Sequence, residues 1–273
     1  MVEPFSYTKF FNNFFESHSA RDILTFILLF VFILMEYSIP FIRFYYNKKK
    51  HILLNYGFQI FHILVSLSLV GLVTYIVKFD ATYQFGILHV INLPFWAEII
   101  FTIMFYDLFY QYLFHWMSHK IPVFWLLHTV HHSDTTLDSS TSFRRHPIEE
   151  FTYFFFFCFI TLILGSSLEL LTIYLTVHVN YSLFTHANIS LPPKVNKYLS
   201  YIMVTPNFHQ IHHHFTLPYT DSNYGSIFAI WDRVFGTCTF LPNEKIKYGV
   251  DVISDSTDNN LWYQLKLPFI YKK

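Results

Sequence analysis

Apolar positions along this chain come in long blocks rather than in alternation. Ile23 to Ile39 is closed by Pro40, a second block runs from about Ile52 to Val77, and a third from roughly Ile87 to Phe114. Such blocks are long enough to cross about 30 Å of hydrocarbon at about 1.5 Å per helical residue. A fourth, from Phe151 to about His186, is interrupted only at Gly165, Ser166 and Ser167. Each of its halves is close to or below the spanning minimum, so the pattern predicts a helical hairpin that enters and returns with its tip at Gly165. Residues 1–20 hold Phe and Tyr without a long apolar core or a small-residue cleavage pattern, which predicts an interfacial amphipathic segment rather than a removable signal peptide.

The polar stretches between the blocks set the topology. Arg43, Lys48, Lys49 and Lys50 fall between the first two blocks and, by the positive-inside rule, face the cytoplasm. Two crossings later the chain is back on that side, where Arg144, Arg145, Lys194 and Lys197 also fall. Leu191 to Lys273 is more polar and shows no further span, which predicts a cytoplasmic cap. No repeat or flexible linker divides the chain. The expected architecture is therefore one all-α integral membrane domain over 1–273, a bundle of about four to five transmembrane or re-entrant helices with a cytoplasmic, histidine-rich helical cap.

Composition supports solvation by lipid. Apolar residues make up 53% of the chain and charged ones 13%, against a usual charged share of about 25%. A formal net charge of zero leaves no electrostatic footprint for nucleic acid. Cys158 and Cys238 are far apart, match no CxxC pattern, and read as free thiols outside any metal site.

Candidate chemistry lies in the histidines. His115 and His119 are four apart; His128, His131 and His132, and again His209, His212 and His213, follow i, i+3, i+4. On helices these imidazoles leave from shared faces. Imidazole suits iron, zinc, copper and nickel, whereas calcium and magnesium take oxygen ligands. Eight imidazoles are twice what a closed tetrahedral zinc site uses, which suggests two metal ions. Soluble di-iron bundles combine Glu with Glu-x-x-His, and that pairing is missing here. A zinc metalloprotease would need HExxH, also missing. A metal-binding or transport protein would place polar ligands along its spans, whereas these clusters sit at span ends and in the cap. His62 and His89 read as interhelical hydrogen-bonding groups, His18 and His51 as interfacial residues, and His214 falls off the shared face.

The pattern H-x3-H, H-x2-HH and H-x2-HH resembles the fatty acid hydroxylase superfamily, which includes the sterol desaturases. LLHTVHHSDTTLDSSTSFRRHPIEE, FTHANISLP and TPNFHQIHHHFTLPYTDSNYGSIFAIWDRVFGT carry the likeness over a region of about 100–240. The resemblance implies a non-haem di-iron centre that uses O2 to hydroxylate or desaturate a lipid, such as a sterol or a fatty acyl chain. It adds His186 and His146 to the ligand candidates, the latter equally able to act structurally. Four residues before His186, where some members place another ligand, stands Ser182, with His178 as a possible stand-in. Asp107 and Asp232 are candidates to orient the ring nitrogens that do not bind metal, although Asp107 could instead contact neighbouring Tyr residues. Asp134 and Glu150 are weaker candidates for that role. With no dinucleotide fingerprint or haem-binding HPGG in these residues, electrons are expected from cytochrome b5 or a ferredoxin with its reductase. The expected location is the endoplasmic reticulum if eukaryotic or the inner membrane if bacterial, with the site on the cytoplasmic side.

Overall fold

The computed structural model describes residues 18–44, 46–241, 245–250 and 259–271, with side chains from residue 23 onward. The interfacial segment expected near the N-terminus falls almost wholly outside the described residues, as does the side chain of His18. Among the described residues the chain is helical and has no strand. Isolated bridges at Pro40–Ile189, Met203–Phe228 and His214–Tyr248 tie loops together.

Four long helices and three short ones come first in the chain. They are α1 (His18–Ser38), α2 (Lys48–Tyr83), α3 (Phe95–Phe105), which passes through a π-helical turn at Tyr106–Tyr112 into α4 (Leu113–Lys120), α5 (Pro122–His132), α6 (Pro147–Leu164) and α7 (Leu168–His186). The shorter α8 (Pro193–Leu199), α9 (Pro206–His212), α10 (Ile230–Val234) and α11 (Leu261–Ile270) follow. Proline stands at the first turn of α5, α6, α8 and α9, where its missing N–H costs nothing and its fixed φ favours the helix. Thr205 caps α9 and Ser167 caps α7 through their hydroxyl oxygens.

Among the described residues two helices are long and apolar enough to cross a membrane, the one beginning at Lys48 and α6. Only 6% of the apolar window of the first is buried, so its side chains face outward as those of a lipid-exposed helix do. Ile23–Ser38 is a shorter apolar stretch. The third block differs from expectation: its helix starts at Phe95, because Gly86 to Pro94 forms a 3-10 turn and an extended approach to Pro94.

That turn seats the hairpin, whose tip lies at Gly165 as expected, with φ of 75°. A Cβ on Gly86 would stand 2.2 Å from the Gly165 Cα, so the two glycines allow backbones to touch where no side chain fits. Asp80 holds the turn by accepting from the Gly86 N–H at 2.7 Å and pairing with the His89 ring. Around this end lies an apolar core in which Tyr106 and Tyr174 stack at 4.5 Å among Leu164, Leu170 and Phe157.

The opposite end is polar and buried. Glu36, near the end of α1, accepts from the Ser139 N–H at 2.7 Å and from Lys48 at 3.3 Å. His51 is fully buried rather than interfacial, because its two ring nitrogens meet Asp134 at 2.9 Å and Asp138 at 3.3 Å. His62 of α2 joins Glu150 of α6 at 2.8 Å, an interhelical hydrogen bond as expected. Cys158 and Cys238 are free thiols.

Candidate metal centre

At the polar end nine of the ten candidate ligands converge in two buried groups. His115, His119, His128, His132 and His212 form one; His131, His186, His209 and His213 form the other. In each, one ring nitrogen per histidine lies within 4.8 Å of all the rest. The two H-x2-HH motifs are used reciprocally. From α5, the i and i+4 histidines enter the first group and His131 the second; from α9, the i and i+4 positions enter the second and His212 the first. The groups adjoin, since His132 stacks on His213 at 4.7 Å and His209 on His212 at 5.3 Å.

Local structure aims these rings. The π-helical turn inserts one residue into the helical repeat just before His115 and His119, a feature common at functional sites. The His115 Nδ1–H donates to the Tyr224 carbonyl at 2.9 Å, His131 to that of Arg144 at 3.2 Å, His186 to that of Ser182 at 2.8 Å and His212 to that of Ser222 at 2.7 Å. Each such bond places the ring proton on Nδ1 and leaves the Nε2 lone pair free. The Nε2 atoms of His115, His128 and His212 are buried without a hydrogen bond. In the second group the Nε2 of His186 lies 3.2 Å from that of His131 and 3.1 Å from that of His209, and His209 lies 3.2 Å from His213.

These observations fit a transition metal. A metal–nitrogen distance of about 2.0–2.1 Å puts neighbouring ligand nitrogens about 3.0–3.4 Å apart, which matches the second group. Burial, followed by repulsion from neighbouring imidazoles, holds His128, His131, His132, His209 and His213 well below the ordinary histidine range. Burial does the same for His212. The neutral ring that results is the form that binds metal.

The remaining candidates lie elsewhere. His146 is outside both groups: it caps α6, accepting from the Ile148 N–H at 3.2 Å, and reaches the Leu265 carbonyl at 3.2 Å. Asp107 and Asp232 touch no histidine, because backbone donors occupy them. Asp107 accepts from the N–H groups of Ile227 and Phe228 and from the Trp231 indole at 2.8–2.9 Å. Asp232 accepts from Tyr224 and Gly225 at 2.8 and 2.9 Å. They thereby hold the loop whose carbonyls orient His115 and His212. A Cβ on Gly225 would come within 2.7 Å of the Phe228 carbonyl oxygen, so the loop requires glycine there.

The carboxylates that do meet the rings are others. Glu149 Oε1 lies 2.6 Å from His128 Nδ1, and Asp221 Oδ1 lies 3.3 Å from His119 Nδ1. Glu149 could have been found as the acid in the first turn of α6 that shares a helix face with the His146 position; Asp221, in an irregular loop, carries no such signal. Glu150 pairs with His62, and Asp134 with His51 and Arg144.

Both groups face one small cavity of about 30 Å³, bordered by His115 and His128 from the first and by His131, His186 and His209 from the second. Across it stand Gln111, Arg145, Tyr153 and His178. His178 belongs to neither group; its ring meets Gln111 Nε2 at 3.2 Å and Ser226 Oγ at 3.4 Å.

Comparison with known proteins follows the same residues. The family model for fatty acid hydroxylase matches residues 99–237. The chain is 31% identical to alkylglycerol monooxygenase of Homo sapiens over 141 residues, 51% of this chain and 30% of that protein. It is 28% identical to a very-long-chain aldehyde decarbonylase of Oryza sativa over 186 residues, 65% of each. A methylsterol monooxygenase of Arabidopsis thaliana is 31% identical over 153 residues, 53% of this chain and 55% of that one. The chain thus spans under a third of the alkylglycerol monooxygenase it matches and under two thirds of the other two. No solved structure matches it.

Proposed function

The chain belongs to the fatty acid hydroxylase family of the sterol desaturase superfamily, and on that premise we propose that it is a membrane-bound lipid oxygenase with two irons. The observation that carries this reading is the pair of adjacent, buried, all-histidine groups bordering one cavity. Bound there, two irons would supply the activation of O2 and the attack on an unactivated C–H bond, giving an alcohol or an alkene.

The chain's own residues supply the rest. Nδ1–H bonds to fixed carbonyls and to Glu149 hold the rings in one tautomer and orientation. Burial of the ligand nitrogens would keep bulk water from the metals. The names of its relatives, which include monooxygenases of alkylglycerols and methylsterols, support a lipid as substrate. Electrons come from an external donor, cytochrome b5 or a ferredoxin with its reductase. Four to five helices cross or enter the bilayer, and the basic loop before α2 sets the site on the cytoplasmic side.

The test is metal analysis of the purified protein combined with lipid mass spectrometry. Two irons per chain and oxygen-dependent conversion of a cellular lipid are expected. Zinc in place of iron, or iron without any lipid oxidised in cells that express the chain, would overturn the reading.

A further inference from the structure

One wall of the metal-facing cavity continues into a second space. A groove of about 310 Å³ runs along α6 between α2 and α7, and Tyr153 lines both it and the cavity. On the α2 side it extends from His62 to Val73, a rise of roughly 16 Å. That is about the depth of one leaflet, half of a hydrocarbon core of about 30 Å. That length, set against a volume of about 310 Å³, makes the space long and narrow, the shape that an extended hydrocarbon chain fills.

The two ends of the groove differ in chemistry. Val70, Val73, Phe157, Leu171 and Leu175 make most of it apolar, and Val70 and Leu175, 56% and 40% exposed, open it sideways toward the bilayer. Near the histidines it ends in a polar knot. Glu150 pairs there with His62 at 2.8 Å and lies 4.0 Å from Arg145, whose guanidinium stands 4.7 Å over the Tyr153 ring. Arg145 lines the cavity, Glu150 and His62 line the groove, and Tyr153 belongs to both.

We propose that this groove is the berth of the substrate's single hydrocarbon chain, which enters laterally between α2 and α7. Tyr153 and Arg145 are the side chains that part to admit its polar end to the cavity. The inference rests on the lipid-oxygenase reading and narrows it to lipids presenting one extended chain, with the tail methyl pointing away from the metals.

Photolabelling tests it without requiring turnover. The full chain in phosphatidylcholine nanodiscs is irradiated with palmitoyl lysophosphatidylcholine carrying a diazirine at its chain end, and the labelled residues are mapped by mass spectrometry. Label is expected at Val70, Val73 and along Leu168–Leu175, displaced by unlabelled palmitoyl lysophosphatidylcholine and not by cholesterol. Val70→Trp should reduce it about tenfold, whereas Leu64→Trp, an exposed position on the opposite face of α2, should not. Label spread over Ile60 and Leu64, equal displacement by cholesterol, or no effect of Val70→Trp would overturn the proposal. Specific labelling in a protein that oxidises no lipid would refute the oxygenase reading and leave the groove standing; lipid oxidation without groove labelling would do the reverse.

Discussion

Removing the Glu149 carboxylate isolates how far a residue outside both histidine groups governs a candidate metal ligand. Its Oε1 lies 2.6 Å from His128 Nδ1, and both side chains are 2% exposed. In Glu149→Ala the His128 N–H is left buried with no acceptor, and the ring loses the partner that fixes its orientation and tautomer. Loss of such a partner lowers metal affinity by about 10–100-fold, or about 1.4–2.7 kcal/mol. Burial of both side chains favours the upper half of that range. Glu149→Gln keeps an acceptor oxygen without the charge and should lose about tenfold or less. Glu150→Gln changes a neighbouring carboxylate that pairs with His62, and its metal affinity should match the parent protein. Iron retained during a chelator titration, measured by elemental mass spectrometry with circular dichroism as a check on folding, gives the answer. Parental affinity in Glu149→Ala, or an equal loss in Glu150→Gln, would refute the reasoning.

Other perturbations probe the site and the far end of the bundle. His131→Ala or His212→Ala, each removing one candidate ligand from a different group, should abolish turnover while leaving the protein resistant to carbonate extraction from membranes; full activity in either would contradict the metal assignment. Gly86→Ala places a Cβ 2.2 Å from the Gly165 Cα and should destabilise the fold by about 1–3 kcal/mol, seen as a lower thermal midpoint, whereas Gly71→Ala, with nothing within 4 Å, should not. Acid should weaken the metal-free protein. The buried histidines of both groups stay neutral well below their ordinary value, while in the unfolded chain they take up protons near about pH 6.5. The unfolded state then binds more protons, so stability falls as pH drops through that value; a flat or rising thermal midpoint between pH 7 and 5 would refute this.

The convergence of the candidate ligands was legible in the sequence because helical register converts spacing into direction. His128, His131 and His132 share a side of α5 whatever the tertiary structure does. The hairpin tip was legible for a similar reason, since a glycine followed by two serines interrupts an otherwise continuous apolar run. The partners of the ligands were not. Asp107 and Asp232 look like ring acceptors in one dimension, yet the loop at 224–228 presents backbone N–H groups to them first. His51 sits beside three lysines and reads as interfacial, yet Asp134 and Asp138, more than eighty residues away, draw it inside. Division of the histidines into five and four was equally hidden, because it depends on how α5 faces α9.

The reciprocal use of the two H-x2-HH motifs makes the groups unequal in how they come into being. Four members of the first, His115, His119, His128 and His132, stand on consecutive helices joined by a single residue, so a short loop closure brings them together. The second waits for His131 to meet His186 and then the pair from α9, closing spans of 55 and 23 residues. During synthesis the earlier quartet can come together while the later half of the polypeptide is still emerging. Under mild denaturant the widely recruited quartet should be the first to let its metal go.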